Sequence, residues 1–340
     1  MTMNPDGVTV TAHALHVPDP IGGSVATAAR DLFASVAPEP ACGPDQAHTV
    51  LGRKGLLFKE DATRLALCAV HRAFGLPPGK LTEPLPGAEH TAVVVSSNVG
   101  NARTVRDIVT GMRAGSAHDV SPLNGPNASS NVIASTLAIR YGFTGPNLMV
   151  CSGATSGLDA IRLGVLLLRG ERARRVVVVG VEPDDEVAGG LAALRPAAPG
   201  TTVPVPLRAA AACVVLEPGG AGPRLGNVRR HTRPDDIADD LRACVTSPAG
   251  DVTQALTPPA ALRLTAPGAP GAGGGIDLTP HLGEVYGALG VVQLAVAAAW
   301  LGSGQPSGPG GALITCGDGE DGYASVRLDP ADVPAPAGGG

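Results

Sequence analysis

Residues 145–161 read Gly-Pro-Asn-Leu-Met-Val-Cys-Ser-Gly-Ala-Thr-Ser-Gly-Leu-Asp-Ala-Ile, and this stretch decides the fold. A short apolar strand, Leu148–Cys151, turns through small residues into a helix predicted over Gly157–Arg169. Such a turn lifts one side chain to the mouth of a pocket, at the positive end of a helix. At its tip stands Ala154, whose methyl group does no covalent chemistry. The residues alone leave three readings open: an enzyme that has lost its nucleophile, an enzyme whose chemistry has moved, or an ordinary structural turn.

Upstream, Val8–Val17 alternates as an opening strand and Asp61–Phe74 has helical spacing. Thr91–Ser97 reads as a strand covered on both faces. The helix Arg103–Arg113 carries Val105, Ile108, Val109 and Met112 on one stripe. A helix over Asn127–Arg140 ends at Gly142. Strands at Arg175–Val181 and Ala209–Glu217 complete a strand–helix–strand order, the mark of a parallel sheet in an α/β fold.

After Pro218–Pro223 the pattern restarts in abbreviated form. It has a strand near Arg224–Arg230, a helix near Asp235–Val245, a strand at Ala260–Thr265 and a long helix at Val285–Leu301. A hairpin, Ala312–Cys316 with Tyr323–Leu328, closes it. The expected organisation is a first half over 1–218 with the turn at 151–157, a shortened second half over 219–330, and a disordered tail over 331–340. Gly/Pro-rich loops lie at Ala266–Gly275 and Gly302–Gly311.

Hydrophobic residues make up 44% of the 340 but aromatics only 2%, so the core is built from Ala, Val and Leu. A net charge of -5 with 16% charged residues argues against nucleic-acid binding. So little charge also suggests a surface covered by a partner. No apolar run reaches membrane-spanning length, and Met-Thr-Met-Asn-Pro-Asp at the start predicts no secretory signal. The six cysteines are dispersed. All but Cys42 sit in apolar patterns and are expected as buried free thiols of a cytoplasmic protein. The eight histidines show no metal-ligand spacing, so neither metal nor cofactor is expected.

Three linked motifs, Asn127-Ala-Ser-Ser130, Ile139-Arg-Tyr-Gly-Phe-Thr-Gly-Pro-Asn147 and Ser156-Gly-Leu-Asp-Ala-Ile161, resemble the β-ketoacyl synthases of the thiolase superfamily. The resemblance is strong over about residues 50–185 and fades afterwards. It implies an α/β, thiolase-like five-layer αβαβα fold from two similar halves. It also implies an obligate dimer in which the strand before the turn pairs across the interface. Family members condense acyl chains with a cysteine at the turn and two histidines from the second half.

Here the cysteine falls on Ala154. One histidine segment corresponds to Thr279-Pro-His-Leu-Gly-Glu-Val-Tyr-Gly-Ala288, with Glu284 at the histidine and Thr279 at a lysine. The loop for the other falls near Leu262–Gly275, which has no histidine, and no Phe follows Phe143 to supply the family's gate. Cys151 reads as a packed thiol, Ser152 and Thr155 as hydroxyls without a base, His281 as a surface histidine, and Glu284 as a helix-start glutamate or a general base.

The resemblance therefore points to the chain length factor of type II polyketide systems, which has no activity alone. It would form a heterodimer with a catalytic ketosynthase subunit, served by an acyl carrier protein. Catalytic residues and metal are none, and Val105, Ile108, Val109 and Met112 would line the acyl tunnel, suiting a linear or polyene chain. The alternatives are a stand-alone acyl-transfer or hydrolytic enzyme and a homodimeric acyl-binding protein.

Overall fold

The computed structural model describes residues 7–20, 27–37, 41–195, 205–233, 262–265, 275–303 and 310–331. The helix expected near Asp235–Val245, most of both Gly/Pro-rich loops and the tail from 332 lie outside the described residues.

The first half contributes strands β1 (Val8–His16), β2 (Thr91–Ser96), β3 (Asn147–Val150), β4 (Arg175–Glu182) and β5 (Ala210–Pro218). Its helices are α1 (Thr27–Val36), α2 (His48–Leu51), α3 (Asp61–Ala73), α4 (Ala102–Ala114), α5 (Val132–Tyr141), α6 (Ser156–Arg169) and α7 (Glu186–Ala192). The second half adds β6 (Arg224–Leu225), β7 (Arg229–His231), β8 (Leu262–Thr265), β9 (Ile276–Asp277), β10 (Ala312–Asp318) and β11 (Gly322–Asp329). Its helices are α8 (Thr279–Leu282) and α9 (Leu289–Gly302).

The strands run in the order β3-β2-β4-β5-β1-β6-β11-β10-β8-β9, with β7 beside β11. In the first half β3, β2 and β4 are parallel, while β5 is antiparallel to both β4 and β1. The second half repeats this: β9, β8 and β10 are parallel, and β11 is antiparallel to both β10 and β6. The two sets meet where β1 pairs with β6. The restart legible in the sequence is thus a repeat of strand order and sense.

Strand alternation assigns the core. Val93, Val95, Val177 and Val179 join Leu65, Ile133 and Leu137 of α3 and α5 on one face. Val94, Val178 and Val214 join Leu158, Ile161, Val292 and Val296 of α6 and α9 on the other. All of β2 is buried, as a strand covered on both faces should be. α6 and α9 cross so closely that a Cβ on Gly157 would lie 2.9 Å from Gly290 Cα.

Four expectations need correction. Residues Gly125–Ala128 form a separate 3-10 turn and α5 starts only at Val132, because Asn127 donates its side chain to the Phe58 carbonyl at 2.6 Å instead of continuing a helix. The strand near Arg224–Arg230 is broken into β6 and β7. Cys151 is exposed, because β3 is the sheet's edge among the described residues. His281 is buried, its ring 5.4 Å from that of Phe33. Among the described residues no helix is long and apolar enough to cross a membrane.

Candidate functional site

The turn after β3 is a single 3-10 turn, Gly153–Thr155, running into α6. Gly153 has φ +71°, the left-handed region that favours glycine, and a Cβ there would overlap the Asp321 carboxyl. Gly153 N–H donates to Asn98 Oδ1 at 3.1 Å, and Asn98 Nδ2 returns a bond to the Gly153 carbonyl at 3.0 Å. The backbone carrying Ala154 is therefore clamped from β2's C-terminal loop.

Ala154 N–H donates to Asp321 Oδ2 at 2.8 Å. Asp321 lies in the turn between β10 and β11, where its carboxylate also takes the Tyr286 hydroxyl at 3.3 Å. The turn itself wraps around Asp318, whose Oδ1 accepts the N–H groups of Glu320 and Asp321. Asp318 Oδ2 pairs with Arg195 at 2.6 Å, and that guanidinium lies 3.5 Å above the Tyr286 ring. Burial raises the Tyr286 hydroxyl to about 12, so it stays a donor.

A backbone N–H at such a turn is the group that would stabilise an oxyanion. In this chain it already holds an anion of its own. An N–H shared with a carboxylate makes a charge-assisted bond, stronger than a neutral one. A substrate oxygen would have to displace Asp321, and no nucleophile stands beside it.

The flanking hydroxyls are also engaged. Ser152 Oγ donates to Asp159 Oδ2 at 2.6 Å and Thr155 Oγ1 donates to the same oxygen at 2.9 Å. The Arg230 guanidinium reaches both Thr155 and Asp159. Cys151 Sγ donates to the Ser97 carbonyl at 3.0 Å, and partial burial with the nearby Glu182 carboxylate pushes its thiol up, away from the reactive thiolate.

Under the turn, Glu182 is fully buried. Its Oε1 accepts Asn98 N–H at 2.7 Å, and its Oε2 accepts Ser97 Oγ at 3.1 Å and Val99 N–H at 3.2 Å. Burial raises its carboxyl to about 7 against the pull of these bonds. Gly287 sits on the same group: a Cβ there would strike Asn98 and Glu182, and its carbonyl accepts Ser96 Oγ at 2.6 Å.

Glu284 turns its side chain onto its own chain, Oε1 accepting Tyr286 N–H at 2.6 Å at the entry to α9. Its backbone pairs with the 206–208 segment, N–H to the Pro206 carbonyl and carbonyl from Arg208 N–H, both 2.9 Å. Burial raises this carboxyl too. Thr279, at the family's lysine position, bonds Asp277 at 2.8 Å.

The four α4 residues are not a core stripe. Val105, Val109 and Met112 are 40%, 43% and 49% exposed, and Ile108 is half-buried. Arg103, bonded to Asp61 at 3.2 Å, and Arg106, 3.4 Å from Glu186, tie the helix to the rest of the chain. Among the described residues, nothing covers the stripe or pairs with the outer edge of β3.

Of the predicted positions, Ala154 is brought together with Tyr286, two residues beyond Glu284, through Asp321. Asn98, Glu182, Asp321 and Arg195 were not singled out from sequence. Asp321 lies in the polar, glycine-rich run Gly317-Asp-Gly-Glu-Asp-Gly322. That turn-forming composition was the available signal.

Residues 50–203 match the family model of the β-ketoacyl synthase N-terminal domain. No curated protein matches the chain. Among solved structures, the ishigamide ketosynthase/chain length factor is 20% identical with a TM-score of 0.70, covering 96% of this chain and 99% of that one. A type II polyketide acyl-carrier protein in complex with its ketosynthase bound to the hexaketide, AntDE:AntF, has a chain 14% identical at TM-score 0.67, with coverage of 96% and 99%. The ketosynthase from module 1 of the bacillaene synthase from Bacillus amyloliquefaciens FZB42 is 12% identical at TM-score 0.57, with coverage of 98% and 75%. Residues 50–203 are thus similar to the β-ketoacyl synthase N-terminal domain, and the chain shares the thiolase-like fold of these ketosynthase structures, with alanine at the elbow.

Proposed function

We propose that this chain is the non-catalytic, chain-length-factor type subunit of a heterodimeric type II ketosynthase. The observation that carries the reading is the elbow, where Ala154 has no nucleophile and its N–H is held by the Asp321 carboxylate. A catalytic subunit would keep that donor free for a substrate oxyanion. The partner supplies the cysteine and histidines and performs decarboxylative Claisen condensation on chains delivered by an acyl carrier protein.

The apolar stripe of α4 and the edge of β3, unpaired among the described residues, are the surfaces this reading assigns to the partner. Val105, Ile108, Val109 and Met112 then wall the acyl tunnel. Their small or flexible side chains leave room for an extended, linear or polyene chain rather than a compact one. The halves 1–218 and 219–330 are taken as two copies of one unit, in keeping with the repeated strand order. The five described cysteines are free thiols, which suits the reducing cytoplasm. No cofactor is assigned.

The test is co-expression with a ketosynthase encoded beside it, followed by native mass spectrometry and a condensation assay. The reading expects a one-to-one complex and a synthase that is inactive or insoluble alone. A stable homodimer of this chain, beside a synthase that works without it, would defeat the proposal.

A further inference from the structure

The described residues contain one group of three His, Cys, Asp or Glu side chains whose ligand atoms converge: His16, Cys42 and Cys68, all within 4.8 Å of one another. They come from three places in the fold. His16 ends β1, Cys42 follows α1, and Cys68 lies on α3. Spacing along the chain gives no sign of the group, because 26 residues separate each neighbouring pair.

The imidazole is wholly buried. Its Nε2 lies 3.0 Å from the Cys42 carbonyl and 3.9 Å from Cys42 Sγ, while Nδ1 has no hydrogen-bond partner. The ring thus has one nitrogen more than the fold uses, in a place where an unmet polar atom is costly.

We propose that His16, Cys42 and Cys68 bind one soft divalent cation of the zinc class. Tetrahedral zinc, with Zn–S about 2.3 Å and Zn–N about 2.0–2.1 Å, places its ligand atoms roughly 3.5–3.8 Å apart. The group therefore needs only small side-chain shifts. Two cysteine sulfurs and one imidazole are the donor set such an ion takes. Cys42 is partly exposed, which opens a path for the ion and a fourth position for water. The bound ion ties the 41–51 segment to β1 and α3, on the face of the sheet away from the elbow.

The rival occupant is no ion at all but a Cys42–Cys68 disulfide. Full-length protein, reduced and freed of metal, is loaded with Zn2+ alone, desalted and analysed for zinc, with Co2+ as a spectroscopic probe. We expect one ion per chain, a thiolate-to-cobalt charge-transfer band and slower alkylation of Cys42. Cys42→Ser, at a partly exposed site that tolerates the change, is expected to weaken binding by tenfold or more and to abolish the rise in melting temperature on adding zinc. Cys151→Ser is expected to change neither. Failure to retain zinc overturns the proposal, as does binding unaffected by Cys42→Ser. A Cys42–Cys68 disulfide that forms in air and persists when zinc is present in excess also overturns it. None of these outcomes depends on whether the chain partners a ketosynthase.

Discussion

Replacing Gly157 by Ala tests the joint on which both halves depend. The added Cβ would lie 2.9 Å from Gly290 Cα, Gly290 N and Val291 N. All three are backbone atoms of the opposing helix, so no rotamer change relieves the contact. Helix propensity favours the substitution by about 0.8–1 kcal/mol, and overpacking opposes it by about 1–3 kcal/mol, occasionally more. Because the obstruction is backbone, we place the cost at the upper end and expect a net loss of about 2 kcal/mol, a few degrees in Tm. Gly190→Ala in α7 is the control: nothing lies within 4 Å of its Cβ position, so the change is expected to be neutral or stabilising by up to about 1 kcal/mol. Urea denaturation followed by circular dichroism reads both. Equal stability of the two variants would refute the close crossing of α6 and α9.

Three further outcomes are expected. Glu182 holds its proton to about pH 7 in the folded chain against 4.5 for the ordinary carboxyl, so between those values the unfolded chain has released a proton that the native chain keeps. Stability from this group is then full below pH 4.5 and falls by about 3 kcal/mol as pH rises to 7; Glu182→Gln flattens that slope, and parallel pH profiles for the two proteins would contradict it. In an Ala154→Cys background, Asp321→Ala is expected to speed alkylation of the new thiol, since a carboxylate on its N–H disfavours the thiolate; an unchanged or slower rate would show that Asp321 does not govern the elbow. In the proposed heterodimer, Met112→Trp or Val109→Phe is expected to shorten the products, read by mass spectrometry, and unchanged lengths would remove α4 from the proposed tunnel wall.

The elements read well where local signals agreed. The valine runs of β2 and β4, the helix stop at Gly142 in left-handed conformation (φ 76°) and the small-residue turn at 153 each carry their geometry in neighbouring residues. The helix α7 did not show, because Gly189 and Gly190 dilute its pattern and its signal is the Asp185 cap, bonded to the Val187 and Ala188 N–H groups. The exposure of Cys151 was invisible for another reason. The apolar composition of β3 is that of a central strand, so nothing local marks it as the sheet's edge. The same holds for α4, whose stripe looks like core in sequence and lies open in the single chain. Asp321 was out of reach because the contact it makes spans 167 residues, and no local pattern encodes a carboxylate folded onto a distant N–H.

The central claim is that the elbow keeps its shape while the chemistry takes place on another chain. Intact-mass analysis of both subunits, quenched during turnover with an acyl carrier thioester, tests this directly. The account predicts an acyl adduct on the ketosynthase subunit and none on this chain. An acyl adduct on this chain at Ser152, Thr155 or Cys151 that forms and decays at the rate of condensation would contradict it.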